Sequence, residues 1–157
     1  MDVFVRPAQE SDIEKIKSYI DEYGLDNENL DYRQFYIAEI ANELAGFGRI
    51  KDYAPIEDSN KNSCDYHHIY ELASIGVIEH FRGNDVGSKI IEKLISIAPS
   101  QEIWITTIIP EYFEKFGFTE DENIPDEILL KCKRVCDKLN KTTRNSRYMC
   151  YKKLNFF

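Results

Sequence analysis

The chain has 157 residues, with 20 Lys+Arg against 28 Asp+Glu and a formal net charge of -8. That length suits one domain over residues 1–157 with a single core, and 43% hydrophobic, 13% aromatic and 31% charged residues exclude a disordered polymer. No apolar run approaches the ~18–20 residues of a membrane span, and a pI near 4.9 speaks against nucleic acid as a partner, because phosphate backbones need a basic stripe. The opening, Met1-Asp-Val-Phe-Val-Arg6, lacks the basic and apolar regions of a secretory signal, so a cytoplasmic location is expected.

Val3 to Arg6 reads as a short strand ended by Pro7. Ser11 is placed to cap a helix whose apolar positions Ile13, Ile16, Tyr19 and Ile20 recur at helical spacing and which Gly24 ends. Asn27 to Gln34 is a polar link or a short second helix, and Phe35–Ile40 with Ala45–Ile50 form a strand pair around an Asn42-Glu43 turn. Asp52 to Asp65 has the composition of a surface loop, and His67 to Val77 of a long strand. Asp85 to Ala98 is the clearest helix, with Val86, Ile90, Ile91, Leu94, Ile97 and Ala98 on one side and Pro99 as its stop. Glu102 to Ile109 is a near-continuous apolar run, as in a strand covered on both faces. Pro110 opens a short helix carrying Tyr112, Phe113 and Phe116, with Gly117 as a left-handed cap. Pro125 to Leu139 is a further helix and Arg147 to Leu154 a last strand, one that could pair across a homodimer. The mixture predicts an α/β (α+β) layered fold with a mixed sheet.

The cysteines are Cys64, Cys132, Cys136 and Cys150. Idle buried thiols are the ordinary reading in a reducing compartment. The spacing fits paired zinc knuckles poorly, so no metal is expected. His67 and His68 are adjacent on a strand and point to opposite faces, which suits surface positions or an acceptor contact and not joint chelation. The aromatics Tyr19, Tyr23, Phe35, Tyr36 and Phe47 are core or pocket wall. Glu120 to Glu122 reads as a solvated loop, or as a patch that steers a cationic amine.

The chemistry-bearing stretch is Ile75-Gly-Val-Ile-Glu-His-Phe-Arg-Gly-Asn-Asp-Val-Gly-Ser-Lys-Ile90. A strand enters a loop with Gly83 and Gly87, and a helix starts at once. Unsatisfied amides and the helix dipole make such a start suit phosphate, and Arg82 adds a charge-assisted donor. The spacing is neither that of a Walker A loop nor that of a Rossmann fingerprint.

With its surroundings, this segment resembles motif A of the GNAT superfamily of acetyl-CoA-dependent N-acyltransferases. Arg82-Gly-Asn-Asp-Val-Gly87-Ser88 follows a strand ending at Val77, as in the family's Arg/Gln-x-x-Gly-x-Gly/Ala. Tyr112-Phe-Glu-Lys-Phe-Gly-Phe118 is similar to the family's helix ending in Gly-Phe, and Val5-Arg-Pro-Ala-Gln-Glu-Ser-Asp12 to its first strand and helix. Thr106-Thr-Ile-Ile-Pro110, Ile124-Pro125 and the Cys-containing tail Lys131–Cys136 resemble small proteins of the N-acetylglutamate-synthase-like group.

The resemblance implies one GNAT-like domain, with a twisted, mostly antiparallel mixed sheet of 6–7 strands flanked by helices. It also implies acetyl transfer from acetyl-CoA to the primary amine of a small-molecule acceptor in a ternary complex. Backbone groups around Ile75 and Val77 would pair with the pantetheine arm, and Arg82, Gly83, Asn84, Asp85, Val86, Gly87 and Ser88 would hold the pyrophosphate. Thr106 and Phe113 complete the implied cofactor contacts. Glu71 stands where many members place the general base, although a strand-edge carboxylate paired with a lysine or water is the plain alternative. Two departures bear on activity. Asp85 replaces a glycine, so its carboxylate must cap the helix or turn outward, and Phe113 stands where many members carry the tyrosine that protonates the leaving thiolate. Tyr112, the neighbouring candidate acid, is rotated by ~100° on the helix. An impaired domain that binds acyl-CoA or a protein without turnover is the alternative reading.

Overall fold

In a computed structural model, residues 2–54 and 68–153 are described. Cys64, His67 and most of the expected loop at 52–65 lie outside them. Seven strands, β1 (Phe4–Pro7), β2 (Phe35–Ile40), β3 (Glu43–Tyr53), β4 (Ile69–Val77), β5 (Glu102–Thr107), β6 (Thr119–Glu120) and β7 (Arg147–Lys152), accompany four helices, α1 (Ile13–Tyr23), α2 (Val86–Ile97), α3 (Pro110–Glu114) and α4 (Asp126–Lys138). The strand order is β1-β2-β3-β4-β5-β7-β6. Four neighbouring pairs are antiparallel, and α2 follows β4 and precedes β5 along the chain. This is the open mixed α/β sheet with flanking helices expected above. The chain forms two compact units, Met1–Ile50 with Leu72–Ala98, and Lys51–Glu71 with Pro99–Phe157.

In the first unit, α1 buries Ile16 and Ile20. Gly24, at φ +63°, closes the helix by donating to the carbonyls of Ile20 and Asp21. Ser11 is not the cap. It lies inside a 3-10 turn, Glu10–Asp12, and Asp12 organises the entry instead. The Asp12 carboxylate accepts the Gln9 amide at 2.7 Å and pairs with Arg6 at 3.0 Å; Arg6 also reaches Glu39 at 2.6 Å. An anion can bind both an amide and a guanidinium strongly, which a hydroxyl cannot.

The hairpin turn falls on Ala41 and Asn42, both at positive φ (+50° and +65°), one residue before the expected position. That left-handed pair is the turn whose twist matches the flanking strands. Strand β3 then runs three residues past Ile50, into the stretch expected to be loop.

Helix α2 lies against β3 through glycine. A Cβ on Gly46 would stand 2.6 Å from Val86 Cγ1, 2.9 Å from Ile90 Cδ1 and 3.0 Å from the Gly76 carbonyl. Val86, Ile90, Ile91 and Leu94 are the buried stripe that uses this closeness.

In the second unit, β5 stops at Thr107, two residues short of expectation. The Thr107 hydroxyl accepts the Ile109 amide at 3.0 Å, and Ile108 and Ile109 are 72% and 53% exposed, so the apolar run outlasts the covered strand. Thr119 and Glu120 form a short strand, although Glu120 was read as the start of a solvated loop; they pair with Cys150 and Met149. The edge of β7 proposed for a dimer contact is therefore occupied at those two positions. Glu120 meets Arg147 at 3.5 Å and Asp121 meets Lys152 at 3.7 Å. Gly117 takes φ +100°, turning the chain so that the Phe118 amide reaches the Phe113 carbonyl at 3.4 Å. Trp104, Ile128 and Cys150 form the buried centre between β5, α4 and β7.

Gly46→Ala forces a methyl into Val86 and backbone oxygen. Overpacking of this kind costs about 1–3 kcal/mol, so thermal unfolding should show Tm falling by about 5 °C.

Candidate active site

Strand β4 does not alternate cleanly, because Ser74 sits at φ +54° and Glu71, Leu72, Ala73 and Ser74 are all buried. The local break is held by hydrogen bonds. The Ser74 hydroxyl donates to the Asp26 carbonyl at 2.6 Å and accepts from Arg49 Nε at 2.9 Å. Arg49 is wholly buried. It also donates to Gln34 Oε1 at 3.1 Å and to the carbonyls of Asn29 and Asp26 at 3.4 and 3.3 Å, with the Asp26 carboxylate 3.4 Å away.

Beyond this break, Ile75 and Val77 are half-buried, and Gly76 is pressed on Phe47, where a Cβ would meet the ring at 2.6 Å. The Ile78 amide then donates to the Ala45 carbonyl at 2.8 Å, fixing where the strand leaves the sheet. A 3-10 turn, Glu79–Phe81, follows. The Glu79 amide donates to Tyr23 Oη at 3.1 Å, and the Arg82 guanidinium stacks over the same ring at 5.6 Å.

Gly83 has φ +89°, with open space where a Cβ would be. Asn84 Nδ2 donates to the Phe81 carbonyl at 3.0 Å. Asp85 takes the left-handed conformation, φ +61° and ψ +22°, and its side chain makes no capping bond. It is exposed. Aspartate tolerates that region better than most residues, which explains how it stands in a glycine position. The first helical bond of α2 runs from the Lys89 amide to the Asp85 carbonyl at 3.1 Å, which leaves the amides of Val86, Gly87 and Ser88 without an intrahelical acceptor. Of the two alternatives for Asp85, the structure takes the outward one. Amides at a helix start, a turn without side-chain bulk and a nearby guanidinium fit a pyrophosphate.

The second unit holds a buried polar cluster. Glu71 is 0% exposed. Its Oε1 accepts from Tyr53 Oη at 2.9 Å, its Oε2 from Thr106 Oγ1 at 3.0 Å, and Lys131 Nζ of α4 stands 2.9 Å from Oε2. Thr106, expected to touch a cofactor, thus bonds Glu71. Tyr148 pairs opposite Thr106; burial first, and then its bond to Cys132, raises its pKa. Cys132, Cys136 and Cys150 are free thiols. Burial holds the Cys136 thiol up, with Cys132 adding to the shift, and burial beside Glu102 pushes Cys150 up to about 12. Phe113 is buried edge-on to Phe118. Tyr112 is half-buried, perpendicular to Phe113, with Lys115 Nζ 4.1 Å above its ring. His68 precedes β4 and pairs with Asp52. Among the described residues, no group of three His, Cys, Asp or Glu is placed to hold a metal ion, and no helix is long and apolar enough to cross a membrane.

Residues 3–118 match the sequence profile of the Acetyltransferase (GNAT) family. The chain belongs to the GNAT acetyltransferase family. It is 25% identical over 135 residues to an amino-acid acetyltransferase of Mycobacterium tuberculosis, covering 77% of this chain and 71% of that protein. Its fold is similar to that of a Mycobacterium tuberculosis protein solved in complex with CoA, with TM-score 0.67, 22% identity, and 96% and 99% of the two chains covered. It is similar also to N-acetylglutamate synthase of Neisseria gonorrhoeae, solved with coenzyme A and N-acetyl-glutamate, with TM-score 0.67 and 18% identity. There 99% of this chain matches 36% of the longer one. This GNAT protein is an acetyl-CoA-dependent N-acetyltransferase.

The sequence reading missed Arg49, Ser74, Tyr53 and Lys131. Two signals were present. Arg49 interrupts the otherwise apolar and glycine-rich Gly46-Phe-Gly-Arg-Ile50, and Lys131 falls at the i+3 position from Ile128, beside Cys132 on the buried face of α4.

The Asp85 carboxylate places a negative charge beside the turn after β4, at a left-handed angle that glycine adopts at no cost. Asp85→Gly should therefore tighten acetyl-CoA binding by about three- to tenfold, a gain that shrinks as salt is raised. Isothermal titration at two ionic strengths measures both.

Proposed function

We propose that this GNAT protein, as one catalytic domain over residues 1–157, acetylates the amine of a small molecule, an amino acid first among them, by direct attack on acetyl-CoA. The observation that carries the reading is the turn after β4, where the Val86, Gly87 and Ser88 amides stay open and the Asp85 side chain leaves them uncovered. The amino-acid class is supported by the similarity to the mycobacterial amino-acid acetyltransferase and to the synthase solved with N-acetyl-glutamate and with L-arginine.

In this reading the backbone at Ile75 and Val77 pairs with the pantetheine arm as an added strand would. Arg82, Gly83, Asn84 and the amides of Asp85 to Ser88 hold the pyrophosphate. An ammonium cannot attack a thioester, so a base must take its proton. Glu71 is that base. Since its carboxylate is 0% exposed, a water or one of its hydroxyl partners carries the proton to it. Phe113 offers no proton to the departing thiolate and packs as a wall, with Tyr112 the nearest hydroxyl in sequence.

Two measurements test this. Saturating acetyl-CoA, at about 100 times its dissociation constant, adds ~2.7 kcal/mol and should raise Tm by about 5–10 °C; no shift up to millimolar ligand would mean the turn does not bind the donor. Release of free thiol, screened over amino acids and simple amines, should then identify an acceptor. With that acceptor, Glu71→Gln should lower kcat by about 10²-fold or more while acetyl-CoA affinity stays unchanged. A variant that turns over at the wild-type rate removes Glu71 from the base role.

A further inference from the structure

We infer that Tyr23, the last residue of α1, is a positioning residue for the donor: its ring aims the Arg82 guanidinium at the pyrophosphate of acetyl-CoA. The inference rests on the reading of the turn after β4 as the pyrophosphate site. Tyr23 meets that turn twice. Its Oη accepts from the Glu79 amide at 3.1 Å, and Arg82 Cζ lies over its ring, 5.6 Å from the centroid. Glu79 opens the 3-10 turn and Arg82 closes it, the Arg82 amide donating to the Glu79 carbonyl at 3.2 Å.

The hydroxyl and the ring have separate roles. Glu79 lies beyond the end of β4 at Val77, and the Tyr23 hydroxyl supplies its amide with an acceptor outside the ladder. That bond fixes the ring against the first residue of the turn. Tyr19, one turn earlier on α1, flanks the ring at 5.7 Å, and Gly24 at φ +63° ends the helix directly after it. The turn itself is anchored in the core by Phe81, which is 7% exposed. What the ring adds is control over the exposed side chain of Arg82.

An arginine in solvent samples many rotamers, and binding an anion must freeze them. A cation over an aromatic face is held by the quadrupole of the ring. Such a contact uses no acceptor atom, so the guanidinium keeps N–H donors for an anion, and its planar fork suits phosphate oxygens. The ring therefore orders Arg82 before the donor arrives and leaves its hydrogen bonds to the ligand.

The test is isothermal titration of acetyl-CoA into wild type, Tyr23→Phe, Tyr23→Leu, Arg82→Gln and the Tyr23→Leu/Arg82→Gln double variant, with Tm checking that each folds. Arg82→Gln should weaken binding about tenfold, through the lost charge-assisted bond. Tyr23→Leu should weaken it about three- to fivefold, the scale of an exposed cation–π contact. Tyr23→Phe keeps the ring and should stay within about twofold of wild type. In the Arg82→Gln background, Tyr23→Leu should change affinity by less than about twofold, because the ring acts through the guanidinium. The Tyr23→Leu loss should also fall below about twofold between about 0.05 and 0.5 M salt, since salt screens what Arg82 contributes; lost packing would not respond in this way.

Nuclear magnetic resonance of wild type needs no destabilised variant. Without ligand, the Arg82 side-chain signals should carry the ring-current shift of a nearby aromatic face, and acetyl-CoA should move the Nε–H signal. If Arg82→Gln binds acetyl-CoA as wild type does, the pyrophosphate reading of Arg82 falls. The inference about Tyr23 falls, while that reading stands, on any of four results obtained with a weakened Arg82→Gln. These are wild-type affinity in Tyr23→Leu, an equal loss from Tyr23→Leu without Arg82, a Tyr23→Phe loss as large as that of Tyr23→Leu, and Arg82 signals at the positions of free arginine.

Discussion

A guanidinium buried to zero exposure dictates much of the first unit. Arg49 can sit inside the protein only if its donors are met, since an unpaired buried charge costs several kcal/mol. Ser74, Gln34, Asn29 and Asp26 meet them. Three of those partners belong to the link between α1 and β2, and the fourth is the left-handed residue of β4. One side chain therefore ties a polar connection to the strand and stabilises a backbone conformation that serine would otherwise avoid. Ile75 to Val77 run on from that fixed point to the end of β4, and the turn that follows inherits its position.

The turn after β4 is made of backbone. It requires left-handed backbone at Gly83 and Asp85, a helix that starts at Val86, and a β3 surface flat enough at Gly46 and Gly48 for α2 to approach. The Glu71 cluster is the opposite kind of construction. Every group in it is a side chain, the four come from β3, β4, β5 and α4, and each must be present for the others to be buried without penalty. In the first unit a buried guanidinium ties a polar link to a strand; in the second a buried carboxylate is met by three side chains that come from three other elements.

This difference explains what could be read from the sequence. Helices α2 and α4 and the strand–turn–helix around Val77 to Gly87 were legible because periodicity, glycine and proline encode them within a dozen residues. Glu71 was legible only through its distance from Val77. Its partners were not, since Tyr53, Thr106 and Lys131 are separated from it by 18, 35 and 60 positions and nothing local marks their convergence. Strand ends failed for a related reason: β3 outran its apolar pattern, while Ile108 and Ile109 kept the pattern after the Thr107 hydroxyl had ended β5. The two-residue β6 carries no periodicity at all, and its acidic composition argued for loop.

In the proposed reaction, the uneven equipment of its two halves also has a physical sense. At neutral pH an aliphatic amine carries an extra proton, and until that proton leaves there is no nucleophile, so the acceptor side needs a base whose charge is maintained. The departing group is a thiolate, and a thiol of pKa ≈ 8.5 leaves readily and takes a proton from water afterwards. The chain surrounds Glu71 with the buried Lys131 and two half-buried hydroxyls, Tyr53 and Thr106, and packs Phe113 among aromatic rings that offer no proton.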